Sequence, residues 1–280
     1  MPNVHVVRRA VEIDRWKGYL PTWVTLGNGA CGILAIIQIG IGLALQEGED
    51  LQSATHLHSA AWLILGGMVF DALDGLVARA MHKTSGYGAV LDSLCDLISF
   101  GAAPAFLVFA IAWRPRLPAN HWHERVLLGT AVAYALCAIL RLARFTSTTS
   151  PDVSFHRKFR GLPSPAAAGV VAGAPLISPF LNADQLSAPS GWFQTALLAS
   201  TCAAALLMVS SIPFPHLING FLRNSRPLSL LGLALTGGAV LVAFGGAGIS
   251  CAFWGYALSG VLFQLVVFMR TLRMPRPPSK

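Results

Sequence analysis

69-VFDALDGLVARAMHKTSGYGAVLDSLCDLISFG-101 carries four aspartates, Asp71, Asp74, Asp92 and Asp96, in runs that otherwise read as membrane helices. Burying an ionised Asp in such a helix costs about 2.5 kcal/mol or more on insertion scales. Four of them together also repel one another. Asp71 and Asp74 are three apart, and Asp92 and Asp96 four apart, so each pair lies on one helix face. A turn around residues 81–86 joins the two helices and lets the acidic faces converge. That arrangement is tolerable only with something positive between the carboxylates. Their hard oxygen atoms select Mg²⁺, Mn²⁺ or Ca²⁺ over zinc. Gly75, Ala78 and Gly88 keep side chains away from the acidic faces, so a phosphate-bearing ligand can approach the backbone. Arg79, one turn from Gly75, can hold phosphate oxygens with two parallel hydrogen bonds. Divalent ions, small residues and one Arg describe a phosphoryl-transfer site.

Outward from this stretch, the 280-residue chain is 54% hydrophobic and only 11% charged. A soluble domain carries about 25% charged residues. The fold class expected is therefore an all-α integral membrane protein. A spanning helix needs about 20 mostly apolar residues. Eight stretches qualify: 21–45, 56–80, 86–112, 125–145, 163–182, 193–211, 229–246 and 249–270. Residues 1–20 hold Arg8, Arg9, Glu12, Asp14, Arg15 and Lys17 with no apolar core, which excludes a secretory signal. They read as an amphipathic interfacial segment. The expected organisation is that segment, a six-helix catalytic domain over 21–220, and two further helices with a basic tail over 221–280.

An amino terminus in the cytoplasm places 17 of the 20 Lys and Arg on the cytoplasmic side. Only Arg114, Arg116 and Arg125 fall on the other, and the acidic loop around Glu47, Glu49 and Asp50 falls outside. Both termini and the turn between Arg79 and Gly88 are thus expected in the cytoplasm. The net charge of +8 suits anionic lipid at that face and requires no nucleic acid. The five cysteines are scattered singly, which fits neither a zinc site nor a disulfide framework. His121 and His123 lie in an outer loop without an acidic cluster and read as an ordinary loop pair.

Written as a pattern, Asp71 to Asp96 is D-x2-D-G-x2-A-R-x8-G-x3-D-x3-D. It resembles the signature of the CDP-alcohol phosphatidyltransferase family at every fixed position. The resemblance implies a membrane enzyme that transfers a substituted phosphate from a CDP-alcohol to an acceptor hydroxyl, releasing CMP. It further implies that Asp71, Asp74, Asp92 and Asp96 hold two divalent ions, Mg²⁺ or Mn²⁺. Asp96 is also implied as the base, and Gly75, Ala78, Arg79 and Gly88 as the CDP and phosphate contacts. Without the resemblance, two readings of the aspartates stay open: a polar seam between helices, and a metal or proton transporter. A seam leaves four ionisable groups without a basic set large enough to neutralise them, and a transporter would not need Arg79 and Gly88 at these offsets.

Further pieces are similar to the phosphatidylserine synthase branch: TLGNGACG (25–32), LCDLISFGAAPAF (94–106), LRLARF (140–145), FRGLPSPAAAG (159–169) and LMVSSIPFPHL (207–217). Thr22, Thr146 and Pro213 depart from that branch, none of them in the acidic motif. The branch implies CDP-diacylglycerol and L-serine as substrates, a homodimer, and a bacterial inner membrane with its active site facing the cytoplasm. A serine carboxylate needs a cation, for which Arg141, Arg144 and Arg160 are candidates; each also reads as ordinary positive-inside flanking. Ser99, near Asp96, reads equally as a substrate contact or a helix-stabilising hydroxyl. Asn28, an amide within the first span, is either interhelical glue or a site contact. Glycerol phosphate and inositol phosphate are the alternative acceptors, and both would want a denser basic set.

Overall fold

The computed structural model describes residues 4–45, 50–81, 86–113, 121–147, 161–181, 191–212, 214, 245–264 and 269, with backbone alone at 4–21, 50, 78–81, 121–123, 145, 147 and 180–181. Every regular element among them is helical: α1 (Val4–Leu45), α2 (Asp50–Met81), α3 (Gly86–Asp96), a π-helical turn (Leu97–Ala102), α4 (Ala103–Ala112), α5 (His121–Ser147), α6 (Ser164–Leu181), α7 (Gly191–Val209) and α8 (Gly245–Gln264). Among the described residues, six segments are long and apolar enough to cross a membrane: 22–45, 51–77, 86–112, 124–144, 191–209 and 245–264. They follow six of the eight expected stretches. The stretch expected at 163–182 forms α6, shorter than these six. The one expected at 229–246 lies almost entirely outside the described residues.

The segment expected as an interfacial helix and the first span form one helix, α1, which runs unbroken through Pro21. Membrane helices accommodate proline where the local structure satisfies the freed carbonyl. His121 and His123, expected in a loop, begin α5.

The third span, 86–112, is the centre of the bundle, with 67% of its most apolar window buried against 17–39% for the other five spans. α1 pairs along α2, α5 along α7, and α6 packs on α2 and α7. α8 lies along α6: Ser250 Oγ donates to the Gly173 carbonyl at 2.9 Å, and Phe253 covers Gly169. Gly260 of α8 fits against the Phe214 ring.

The third span is helical throughout, but its middle is wound as a π-turn. The N–H of Ala103 bonds the carbonyl of Ile98, five residues back. Pro104 has no N–H for the Phe100 carbonyl four residues earlier. Tyr134 of α5, fully buried, donates its hydroxyl to that carbonyl at 3.1 Å. Thus one helix widens where proline removes a donor, and another helix supplies the replacement.

Two of the branch-like pieces meet at the end of α7. The N–H of Gly161 bonds the Ile212 carbonyl at 2.8 Å, and the N–H of Leu162 bonds the Leu207 carbonyl at 2.9 Å. Gly161 sits at φ +94°, and a Cβ there would come within 2.5 Å of the Met208 carbonyl oxygen. Only glycine suits this position.

Candidate active site

Asp71 and Asp74 stand in the last turns of α2, and Asp92 and Asp96 on α3, whose far end is the π-turn. Carboxylate oxygens of Asp71, Asp92 and Asp96 all lie within 4.8 Å of one another. Asp71 and Asp92 are half-buried and Asp96 is buried. Asp74 is not in that trio. It is buried beside it, accepts a hydrogen bond from the Thr25 hydroxyl, and is near enough to Asp92 for the two charges to interact. Asp96 Oδ1 accepts from Asn28 Nδ2 at 2.8 Å, leaving its other oxygen for a further partner.

Convergent carboxylates in an apolar surround repel one another and pay for lost hydration. A divalent cation relieves both. The donor set fits such an ion: three carboxylates supply hard oxygens at mutual distances that one centre can bridge. Cys95, next to Asp96 in sequence, packs towards α1, where a Cβ on Gly29 would stand 2.8 Å from its sulfur. The ligand set is therefore oxygen in character, as magnesium and manganese prefer.

Gly75 directly follows Asp74 and is half-buried; Gly88, also half-buried, stands one turn before Asp92. Ala78 and Arg79 occupy the end of α2, with their side chains outside the described residues, and Arg160 lies outside them altogether. Arg141 of α5 is half-buried, with its charge near enough to Asp96 and to Tyr256 of α8 to interact with both. Arg144, one turn on, is exposed. The charge of Arg141 thus reaches the acidic cluster.

Ser99 Oγ donates to the backbone carbonyl of Asn28 at 2.8 Å. Asn28 is fully buried, and among the described residues its Oδ1 is the buried side-chain atom left without a hydrogen-bond partner. Thr25 was not singled out from the sequence. Its signal was there: a hydroxyl three residues before Asn28, on the same face of an apolar helix.

A family model described as CDP-alcohol phosphatidyltransferase matches residues 18–214. The chain belongs to the CDP-alcohol phosphatidyltransferase family. The match takes in α2, α3 and every aspartate of the cluster and ends at Phe214, before α8. One relative is the CDP-diacylglycerol–serine O-phosphatidyltransferase of Bacillus subtilis, 33% identical over 201 residues, or 71% of this chain and 90% of the relative. The archaetidylserine synthase of Methanothermobacter thermautotrophicus is 32% identical over 201 residues, 70% of each chain. The Saccharomyces cerevisiae protein of the same name as the first is 34% identical over 160 residues, 55% of this chain and 52% of that one. The lipids in these names differ, and serine is common to all three.

Proposed function

We propose that this protein transfers the phosphatidyl group of CDP-diacylglycerol to the hydroxyl of L-serine, giving phosphatidylserine and CMP. The observation that carries the reading is the convergence of Asp71, Asp92 and Asp96 within the family's acidic motif. The names of the relatives favour serine as the acceptor.

Asp71, Asp74, Asp92 and Asp96 would hold two divalent ions, Mg²⁺ or Mn²⁺. When bound, such ions neutralise the diphosphate and the charge that gathers on the departing CMP. Gly75, Ala78 and Gly88 leave room for the nucleotide, and Arg79 grips its phosphate oxygens. The lipid tails remain in the bilayer.

Asp96 accepts the proton of the serine hydroxyl. The serine oxygen then bonds to the phosphorus that carries the diacylglycerol, the bond from that phosphorus to the CMP oxygen breaks, and CMP leaves. Asn28 holds one oxygen of Asp96 and leaves the other free for this task. The amide must turn its nitrogen towards a carboxylate, so Asn28 Oδ1 is left facing no donor. It packs against α2, where a Cβ on Gly67 would stand 2.9 Å from it. Arg141 is the cation for the serine carboxylate, with Arg144, Arg160 and Ser99 as flanking contacts.

The same reading places eight spans in a bacterial inner membrane, with residues 1–20 as an interfacial segment and both termini and the site facing the cytoplasm, in a homodimer. The 17-to-3 division of basic residues supports the orientation. The test is CMP release by purified protein from CDP-diacylglycerol, with Mn²⁺ or Mg²⁺ and a panel of acceptors. Release with L-serine is expected. Release only with glycerol phosphate or inositol phosphate moves the chain to another branch of its family.

A further inference from the structure

The acidic cluster is held from a third side, by α1. Thr25 and Asn28 are three residues apart and so share one face of that helix. The Thr25 hydroxyl donates to Asp74 of α2, and the Asn28 amide donates to Asp96 of α3 at 2.8 Å. Both donors are buried, with 3% and 0% of their surface exposed.

Their reach depends on glycine. A Cβ on Gly27 would stand 2.7 Å from the Phe70 ring on α2. A Cβ on Gly32 would stand 2.8 Å from Ser99 Cα and 2.9 Å from its backbone nitrogen. Backbone cannot give way as a flexible side chain can. The Ser99 hydroxyl completes the seat by donating to the Asn28 carbonyl. α1 is thus pressed into the groove between the acidic helices, with one donor aimed at each.

We infer that Thr25 and Asn28 are a two-pronged clamp, positioning residues that fix one carboxylate from each acidic helix at the separation at which the cluster takes its cation. Repelling carboxylates left to themselves swing apart, and a cation must then pull them together at the expense of its own affinity. Hydrogen bonds to an ionised acceptor are the stronger kind and hold the two in register beforehand. Partners of metal ligands elsewhere contribute roughly 10–100-fold in metal affinity. The inference rests on reading the aspartates as a divalent-ion site.

The experiment is a Mn²⁺ titration of the full-length purified protein, with CDP present and free Mn²⁺ read by electron paramagnetic resonance. Thr25→Val keeps the shape and removes the donor. It is expected to weaken Mn²⁺ binding roughly 10–100-fold, and Thr25→Ser to restore it to within a few-fold of wild type. Thermal melts in EDTA check that each variant is folded, with Thr25→Val expected to melt somewhat lower for the loss of a buried donor. If Thr25→Val does not fold, Asn28→Ala carries the same expectation through Asp96. Wild-type affinity in the donor-less variant overturns the clamp and leaves the metal reading standing. No Mn²⁺ binding by the wild type overturns both.

Discussion

The two halves of the third span are one continuous helix put to opposite uses. In α4 eight of ten residues are buried, all apolar, from Ala103 to Ala112. In α3, of eleven residues, only Cys95 and Asp96 are buried, and the face it turns to α2 and α1 is acidic. The π-turn divides them. Such turns occur often at functional sites, and this one has an identifiable cause in Pro104 and the Tyr134 hydroxyl. One half supplies the packed surface that fixes the helix in the bundle. The other, anchored by it, can carry charges that would otherwise destabilise a membrane helix. Stability and chemistry are thus segregated along a single segment, and substitutions in the two halves should separate them.

The largest effect is expected in the acidic half. Asp96→Asn keeps the shape and one oxygen ligand but cannot take a proton from the acceptor. General-base catalysis contributes about 10²–10⁴-fold, and CMP release should fall by that order while CDP-diacylglycerol still binds. Asp71→Asn should weaken nucleotide binding as well, by disturbing both of the ions that the aspartates would hold. Equal loss of binding in the two variants would make Asp96 a ligand only.

The apolar half should answer differently. Leu107→Ala, at a fully buried position, is expected to cost about 2–5 kcal/mol of stability. Activity per folded molecule should be nearly unchanged. A thermal melt in detergent paired with an activity assay measures both, and a variant that melts normally but is inactive would erase the contrast between the halves.

The boundary should give the smallest effect. Tyr134→Phe leaves the buried Phe100 carbonyl without its donor, a loss of about 1–3 kcal/mol. A drop in melting temperature with modest loss of turnover is expected. No change in either would mean that the widened turn satisfies that carbonyl on its own.

Much of this division could be read in the residues themselves. The apolar runs give the spans because length and hydropathy alone decide which helices a bilayer accepts, and spacings of three and four put the aspartates on shared faces. What could not be read depends on partners distant in sequence. Pro104 announces a perturbed helix, but only the fold brings Tyr134 to the exposed carbonyl. Thr25 looks like any hydroxyl in an apolar helix until α2 delivers Asp74 to it. Gly161 gives no sign in sequence of its positive φ, which is imposed by the carbonyls of Met208, Leu207 and Ser210 around it. That Asp74 bonds Thr25 while Asp71, Asp92 and Asp96 converge is likewise set by the fold and not by spacing along the helices.

Metal dependence tests the acidic half most directly. Protein stripped by exhaustive EDTA treatment is given CDP-diacylglycerol and L-serine, and phosphatidylserine is measured before and after adding back Mg²⁺ or Mn²⁺. Formation should cease on chelation and return with either ion in the wild type, and should not return in Asp92→Asn. Undiminished formation of phosphatidylserine after chelation would contradict a metal-dependent transfer at these carboxylates.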